Sequence, residues 1–295
     1  MKPPVFDYHR PVSVAEAVAM LAAAAERGGA KVLAGGQSLV PILNMRLAAP
    51  AALVDINRLA EELAFIEVGP DRVRVGALTR HAQTEASPIA FAALPLLRQA
   101  TRQVAHPTIR NRGTTLGSIV HADPAGELPA VLLVLDGEVE LASATGTRVV
   151  PAAEFFLGPL ESAVRPDELA VAASFAIPPG RTGTAFVEVS RRAGDYALCG
   201  LGLVVRLGED DRICSARAAY ISVAGTPVLV DLTDAVGGQP PDGADWASAA
   251  VLAQAAVDPE ADIHATADYR RHLVGVLTGR AGRAAAAATV LVGQS

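Results

Sequence analysis

Cysteine is nearly absent from this chain: only Cys199 and Cys214 occur among 295 residues. Two thiols give no basis for a disulfide framework. Nor can they supply the four thiolates that hold an iron–sulfur cluster, so any such cluster belongs to another chain. Long apolar runs are missing as well. Apolar residues reach 51%, but charges and turns interrupt them everywhere, and no run approaches the roughly 20 residues that span a bilayer. The opening Met-Lys-Pro-Pro-Val-Phe-Asp-Tyr lacks the apolar segment of a signal peptide. The expectation is a soluble, cytoplasmic protein without a membrane span. Positive charge is in deficit, with 25 Lys and Arg against 31 Asp and Glu and a net charge of −6, which argues against nucleic-acid binding. There is no Gly-x-Gly-x-x-Gly fingerprint, no P-loop, and no Gly-x-Ser-x-Gly elbow around Ser118. Nicotinamide dehydrogenases, ATPases and serine hydrolases of those standard types are disfavoured.

What is present has the length for two domains or one large one. After an extended arm over 1–11, Ser13 caps a helix over 14–27, with Glu16 at the capping-box position and Gly28-Gly29 closing it. Short apolar runs at 31–34 and 52–56 read as buried strands, joined through a short helix with Pro41 in its first turn. From residue 63 the pattern alternates: 64–68 and 72–76 form a hairpin around Gly69-Pro-Asp71. Thr79 is a candidate helix cap, and 88–104 reads as one helix. A loop over 108–127 precedes a core helix at 128–135, a second hairpin at 138–150, loop to 167, and a strand at 168–177. Pro178-Pro179-Gly180 marks the best domain boundary. Beyond it three strands (184–190, 198–206, 213–223) and two helices (245–256, 265–279) precede an Ala-rich tail. Strands followed by helices predict an α+β domain.

Two polar stretches interrupt this plan. In Lys31-Val32-Leu33-Ala34-Gly35-Gly36-Gln37-Ser38-Leu39 a strand runs into a glycine pair. Such a pair can turn successive N–H groups into one concavity suited to a phosphate, or simply make a tight turn. The stretch from His106 to Pro129 carries Gly113 and Gly117, the hydroxyls of Thr114, Thr115 and Ser118, and His121, Asp123 and Glu127. Apolar residues among them (Ile109, Leu116, Ile119, Val120) favour a buried or ligand-covering loop over a plain connection. His121-x-Asp123 lacks a third ligand at metal-site spacing. His121 and Glu127 could form an acid–base pair, but no nucleophile accompanies them.

Together, Ala34-Gly-Gly-Gln-Ser38 and Thr108-Ile-Arg-Asn-Arg-Gly-Thr114 … His121-Ala-Asp-Pro124 resemble the FAD-binding medium subunit of the molybdenum hydroxylases. That group includes xanthine dehydrogenase, carbon monoxide dehydrogenase and quinoline and nicotinate hydroxylases. Val54-Asp-Ile56, Val75-Gly-Ala77, Glu154-Phe-Phe-Leu-Gly158, Arg191-Arg-Ala-Gly-Asp-Tyr-Ala197 and Asp262-Ile-His-Ala265 follow in the family's order, so the resemblance spans nearly the whole chain. It implies an α+β fold with a two-subdomain FAD-binding domain of the vanillyl-alcohol-oxidase (PCMH) type over 1–178 (subdomains about 1–58 and 59–178). A C-terminal α+β domain over 179–295 would follow. Residues Ala34 to Ser38 would hold the pyrophosphate, with Lys31, Val32 and Leu33 leading in and Leu39 following. Thr114, Gly117 and Ser118 would form a second phosphate loop. His121, Asp123 and Glu127 would line the FAD, and Tyr196 would approach the isoalloxazine. No catalytic acid or base and no metal site is expected on this chain.

The resemblance also implies partners: a small subunit with [2Fe-2S] clusters and a large molybdopterin subunit, as a dimer of heterotrimers. Electrons would pass through FAD to oxygen, a quinone, NAD or another acceptor. The wording of 191–197 leans towards N-heteroaromatic substrates. One departure stands out. Leu116 occupies the place of a family glycine, and if that position needs positive φ it costs about 1 kcal/mol or more. This keeps open an alternative, a scaffold subunit with a weakened or lost FAD site. A free-standing flavin oxidase has less in its favour, since no extra substrate domain or covalent-flavin His motif occurs.

Overall fold

The computed structural model describes residues 2–292. Three parallel strands open the chain: β1 (Asp7–His9), β2 (Ala30–Leu33) and β3 (Ala52–Asp55), in the order β1-β3-β2. Parallel neighbours need crossovers, supplied by α1 (Val14–Ala25) and α2 (Leu39–Asn44). Ser13 Oγ accepts the Glu16 N–H at 3.1 Å, while the Glu16 carboxylate takes the Val12 N–H at 2.6 Å. The latter lies one residue before the usual capping-box partner. Ala17, Val18, Leu21 and Ala24 turn inward at helical spacing. Every residue of β3 is buried, as expected of a central parallel strand.

A 3-10 turn (Ile56–Leu59) and α3 (Ala60–Leu63) lead into the hairpin β4 (Ile66–Val68) and β5 (Arg72–Gly76). Thr79 does not cap the next helix: its hydroxyl donates to Phe65 O at 2.7 Å, and α4 (His81–Ala86) starts from Arg80. The stretch 88–104 is two helices, α5 (Pro88–Ala93) and α6 (Pro95–Thr101), because Pro95 has no N–H to donate and bars Leu94 from helical geometry. The segment 108–127 is also not a simple loop. It contains α7 (Pro107–Arg110) and α8 (Thr115–His121), and the core helix α9 begins at its end (Glu127–Val134).

The hairpin β6 (Glu138–Ser143) and β7 (Gly146–Pro151) follows. The segment 151–167 is more ordered than a loop, holding α10 (Ala152–Phe155) and a small ribbon, β8 (Phe156–Gly158) with β9 (Glu161–Ser162). Strand β10 (Leu169–Ala176) then enters the centre of an antiparallel sheet, β4-β5-β10-β6-β7.

The last sheet, β11-β12-β13-β14, comprises Thr182–Ser190, Ala197–Leu207, Ile213–Ile221 and a fourth strand, Val228–Asp231, missed in the sequence. After α11 (Thr233–Val236), α12 (Trp246–Ala255) and α13 (Ala267–Val292) cover one face. The Ala-rich tail is the continuation of α13; small side chains let it lie close on the sheet, and Gly282 leaves room for the Trp246 ring. The other face of the sheet packs on α6 and α9. Alternation along β11 makes the division visible: Ala185, Val187 and Val189 belong with the second core, while Phe186 joins the first. Gln99 bonds Thr184 O at 3.2 Å, Ser222 N donates to Pro124 O at 2.8 Å, and Arg217 grips Asp136 in a fork of 2.5 and 2.8 Å. No helix among the described residues is long and apolar enough to cross a membrane.

Candidate functional site

Beyond the C-terminal ends of β1, β2 and β3 lies a cleft of about 600 Å³, bordered by Tyr8, Gly36, Gln37, Val40, Asn57 and Arg112. Crevices at that end of parallel strands are where ligands bind most often. Gly36 sits at φ +73°, in the left-handed region that favours glycine. Gly35 has no room for a side chain: a Cβ would fall 2.7 Å from Gly113 Cα and against Arg112 O. The two polar stretches therefore touch here. Among the described residues, the N–H groups of Gly35, Gly36, Gln37 and Ser38 find no acceptor within the chain. Four successive free donors beside a left-handed glycine make a nest for an anion.

A buried network holds the nest in place. Asp55, at the end of β3 and 7% exposed, accepts the Asn57 backbone and amide N–H groups at 3.0 and 2.6 Å and the Tyr8 hydroxyl. Asn57 Nδ2 donates onward to Ala34 O at 2.9 Å, and Arg80 joins Asn57 Oδ1 (2.7 Å) to Arg112 O (2.5 Å). Burial by itself would raise the Asp55 carboxyl, but bonds from Tyr8 and Asn57 outweigh it and hold the group below the ordinary carboxylate range.

The second stretch leaves Gly113, whose carbonyl accepts the His81 N–H at 3.0 Å. Burial, assisted by Arg110, pushes the His81 imidazole down to about 4, so it is neutral. Thr114 caps α8, its hydroxyl accepting the Gly117 N–H at 3.1 Å. A side chain at Gly117 would meet that hydroxyl at 2.5 Å, so the cap needs glycine there. At the far end Ala122, at φ 52°, turns the chain sharply. Asp123 Oδ1 accepts Ala125 N at 2.9 Å, and Glu127 opens α9. Here the carboxyls are poorly solvated. Burial first, then Glu188 on β11, pushes Glu127 up to about 8, and burial pushes Glu188 up to about 7. Burial likewise lowers His121 and raises Tyr196, the latter helped by Asp123 and Glu127. Tyr196 is nevertheless 69% exposed. Its segment is pinned through Gly194, which has φ +83° and leaves no space for a Cβ beside the His106 ring.

Family models bear on this arrangement directly. Residues 4–179 match the FAD binding domain in molybdopterin dehydrogenase, and residues 184–285 match the CO dehydrogenase flavoprotein C-terminal domain. The chain belongs to the FAD-binding medium subunits of the molybdenum hydroxylases. It is 40% identical to the 6-hydroxypseudooxynicotine dehydrogenase complex subunit alpha of Paenarthrobacter nicotinovorans, over 95% of this chain and 94% of that one. It is 37% identical to the caffeine dehydrogenase subunit beta of Pseudomonas sp. (strain CBB1), over 95% of each. A carbon monoxide dehydrogenase from Hydrogenophaga pseudoflava, solved lacking the Mo-pyranopterin moiety of its cofactor, superposes with a TM-score of 0.90 at 36% identity. The match covers 98% of this chain and 99% of that one. This medium subunit is thus an oxidoreductase component, its fold is the α+β arrangement of a FAD-binding domain followed by a C-terminal domain, and FAD is its cofactor.

The free N–H nest and the cleft beside it fit a dinucleotide diphosphate in such a medium subunit. Of the residues singled out in the sequence, Leu33, Ala34, Gly35, Gly36 and Gln37 border the cleft. Val32 instead packs against the core, and Lys31 lies exposed, its charge felt by His121. Ser38 precedes α2 without a side-chain cap bond, and Leu39 is the first residue of that helix. Thr114 is buried and committed to its cap, with Gly117 exposed and Ser118 half-buried one turn on.

Leu116 corrects an expectation. It lies within α8, absent from the positive-φ residues, and its side chain is 2% exposed in the core. No glycine conformation is required, so no strain arises. Sequence reasoning missed Tyr8, Asn57, Arg80, Arg112 and Glu188. Asn57, two residues beyond Asp55 in an Asx-type turn, left a faint local signal; the others are joined to the site only by the fold.

Proposed function

We propose that this chain carries electrons within a molybdenum hydroxylase complex, through FAD seated with its diphosphate on the N–H groups of Gly35 to Ser38. The observation behind this reading is the row of four unpaired donors beside left-handed Gly36, in a chain of this family. FAD supplies the redox chemistry; the protein binds, orients and shields it. Thr114, Gly117 and Ser118 close the second side, Lys31 to Leu33 and Leu39 frame the nest, and His121, Asp123, Glu127 and Tyr196 line the path from α8 to the domain seam. The donors of electrons are [2Fe-2S] clusters in a small partner subunit, fed from a molybdopterin cofactor in a large one, in a dimer of heterotrimers in the cytoplasm. Hydroxylation of an N-heteroaromatic compound is supported by relatives named for pseudooxynicotine and caffeine.

The scaffold alternative rested on Leu116, and the helical, buried Leu116 removes that ground. Visible spectroscopy of the purified chain tests the reading. Flavin absorbance is expected as isolated or after adding FAD, and Gly36→Val is expected to abolish it with the fold intact by circular dichroism. A folded wild-type chain that retains no FAD, or a variant that binds it unchanged, would overturn the proposal.

A further inference from the structure

Glu188 has no role in the flavin reading, yet its position is unusual. It lies on β11 two residues beyond Phe186, so alternation points it to the same side, toward the N-terminal domain, whereas its neighbours Val187 and Val189 face the second core. Gly200, its partner on β12, would crowd the Glu188 side chain at 2.9 Å if it carried a Cβ. One carboxylate oxygen, Oε2, is buried and without a hydrogen-bond partner, although buried polar atoms are nearly always paired. Across the seam stands Glu127, the first residue of α9, and α9 packs on β12 and β13. The titratable groups acting on the pair from the packed elements are Asp123, on the turn before α9, and, through Glu127, Tyr196 on the segment before β12. No cation among the described residues offsets either carboxyl. Two carboxyls on the same seam without a counter-charge cannot both ionise readily, the charge of Glu188 opposing that of Glu127.

We propose that Glu127 and Glu188 hold one proton between them across the domain seam and serve as the proton store of the flavin site. The inference rests on the flavin reading above. Electron carriers such as iron–sulfur clusters bring no proton, whereas two-electron reduction of a flavin takes up at least one. A proton released from the Glu127 carboxyl takes the pair from a charge of −1 to −2. Tyr196, which feels the Glu127 charge, is exposed to solvent, and one proton taken up from solvent returns the pair to −1. The buried, unpartnered Glu188 Oε2 makes a second charge at the seam costly, so the resting pair keeps the proton.

Infrared spectroscopy of the FAD-free chain, with Glu127→Gln and Glu188→Gln as near-isosteric variants, tests the pair directly. The wild type is expected to show a carboxyl C=O band that titrates between about pH 7 and 8. In Glu188→Gln the remaining band should move down by roughly one unit as the like charge is removed. In the FAD-loaded chain, the slope of flavin midpoint potential against pH should break in the same window, and the break should move with the band in each variant. Absence of a carboxyl titrating above pH 6 overturns the proposal, as does a slope that the substitutions leave unchanged. If the band titrates but no FAD is retained, the flavin reading fails and the redox role with it, while the shared proton stands. If FAD binds and no carboxyl titrates, the pair alone fails.

Discussion

Asp55, beside the cleft, and Glu127, at the domain seam, are both carboxyls drawn out of water, and the protein treats them in opposite ways. Asp55 receives the Tyr8 hydroxyl and two N–H groups of Asn57, and its charge is favoured. The charge of Glu127 is instead opposed, first by burial and then by the charge of Glu188. Burial alone raises both; the donors at Asp55 reverse the sign. At the nest end, the ionised carboxylate anchors a chain of bonds that fixes backbone donors around the cleft. At the seam end, a carboxyl that keeps its proton near neutrality is suited to exchanging it.

The largest effect is expected from breaking the nest end itself. Gly35→Val would drive a side chain into Arg112 O and Gly113 Cα and separate the two stretches. FAD affinity should fall by more than about 100-fold, equivalent to roughly 2.8 kcal/mol, as read by fluorescence titration. Next comes α8, which joins the two ends. Leu116→Ala should lower stability by about 2–5 kcal/mol in chemical denaturation, through a cavity in the core; unchanged stability would contradict the buried, helical placement.

Asp55→Asn keeps the shape but removes the charged acceptor. A loss of about 1–3 kcal/mol is expected, together with weaker FAD binding as Asn57 and Arg80 lose their anchor. The sign of the pH effect also follows. Asp55 has its pKa lowered on folding, so its contribution is full above the unfolded carboxylate range and is lost as pH falls through the folded value. In the variant, the acid-side decline of Tm should be shallower.

The seam end should behave in the reverse sense and by less. Glu127 and Glu188 are raised to about 8 and about 7. The folded chain therefore holds more protons than the unfolded one between the ordinary glutamate range and those values, and stability declines as pH rises through that window. Glu188→Gln should flatten this decline, with Tm about 2–4 °C above wild type at pH 9 and little different at pH 5. Equal pH profiles for the two proteins would erase the contrast between the ends.

Much of this architecture was legible locally. The helix over 14–25 announces itself through Ser13, Glu16 and its inward apolar spacing, and the two hairpins through alternation around Gly-Pro-Asp and Thr-Gly turns. The glycine pair marked a nest or a tight turn, because positive φ at Gly36 is a property of one residue. What failed failed for non-local reasons. Thr79 looked like a cap, but Phe65 O, fourteen residues earlier in the chain, captured its hydroxyl. Leu116 looked like a strained substitution, because comparison with a motif does not report that this turn of backbone is helical and faces a core. Strand β14 was overlooked since four residues of Val-Leu-Val-Asp carry too short a pattern to separate strand from loop.

The sequence by itself carried the resemblance to a flavin-binding family, an order of strands and helices that predicts an α+β plan, and a glycine pair after its second strand suited to a nest or a tight turn. The last two follow from residue type, spacing and local backbone freedom. Only the tertiary structure decided that Gly35 lies against Gly113 and that Asp55 is held ionised through Tyr8 and Asn57. It alone brought Glu188, sixty-one residues from Glu127 in the chain, to the same seam. The reason is physical: whether a carboxyl keeps or loses its proton depends on donors, charges and excluded water, and these are contributed by elements far apart in sequence.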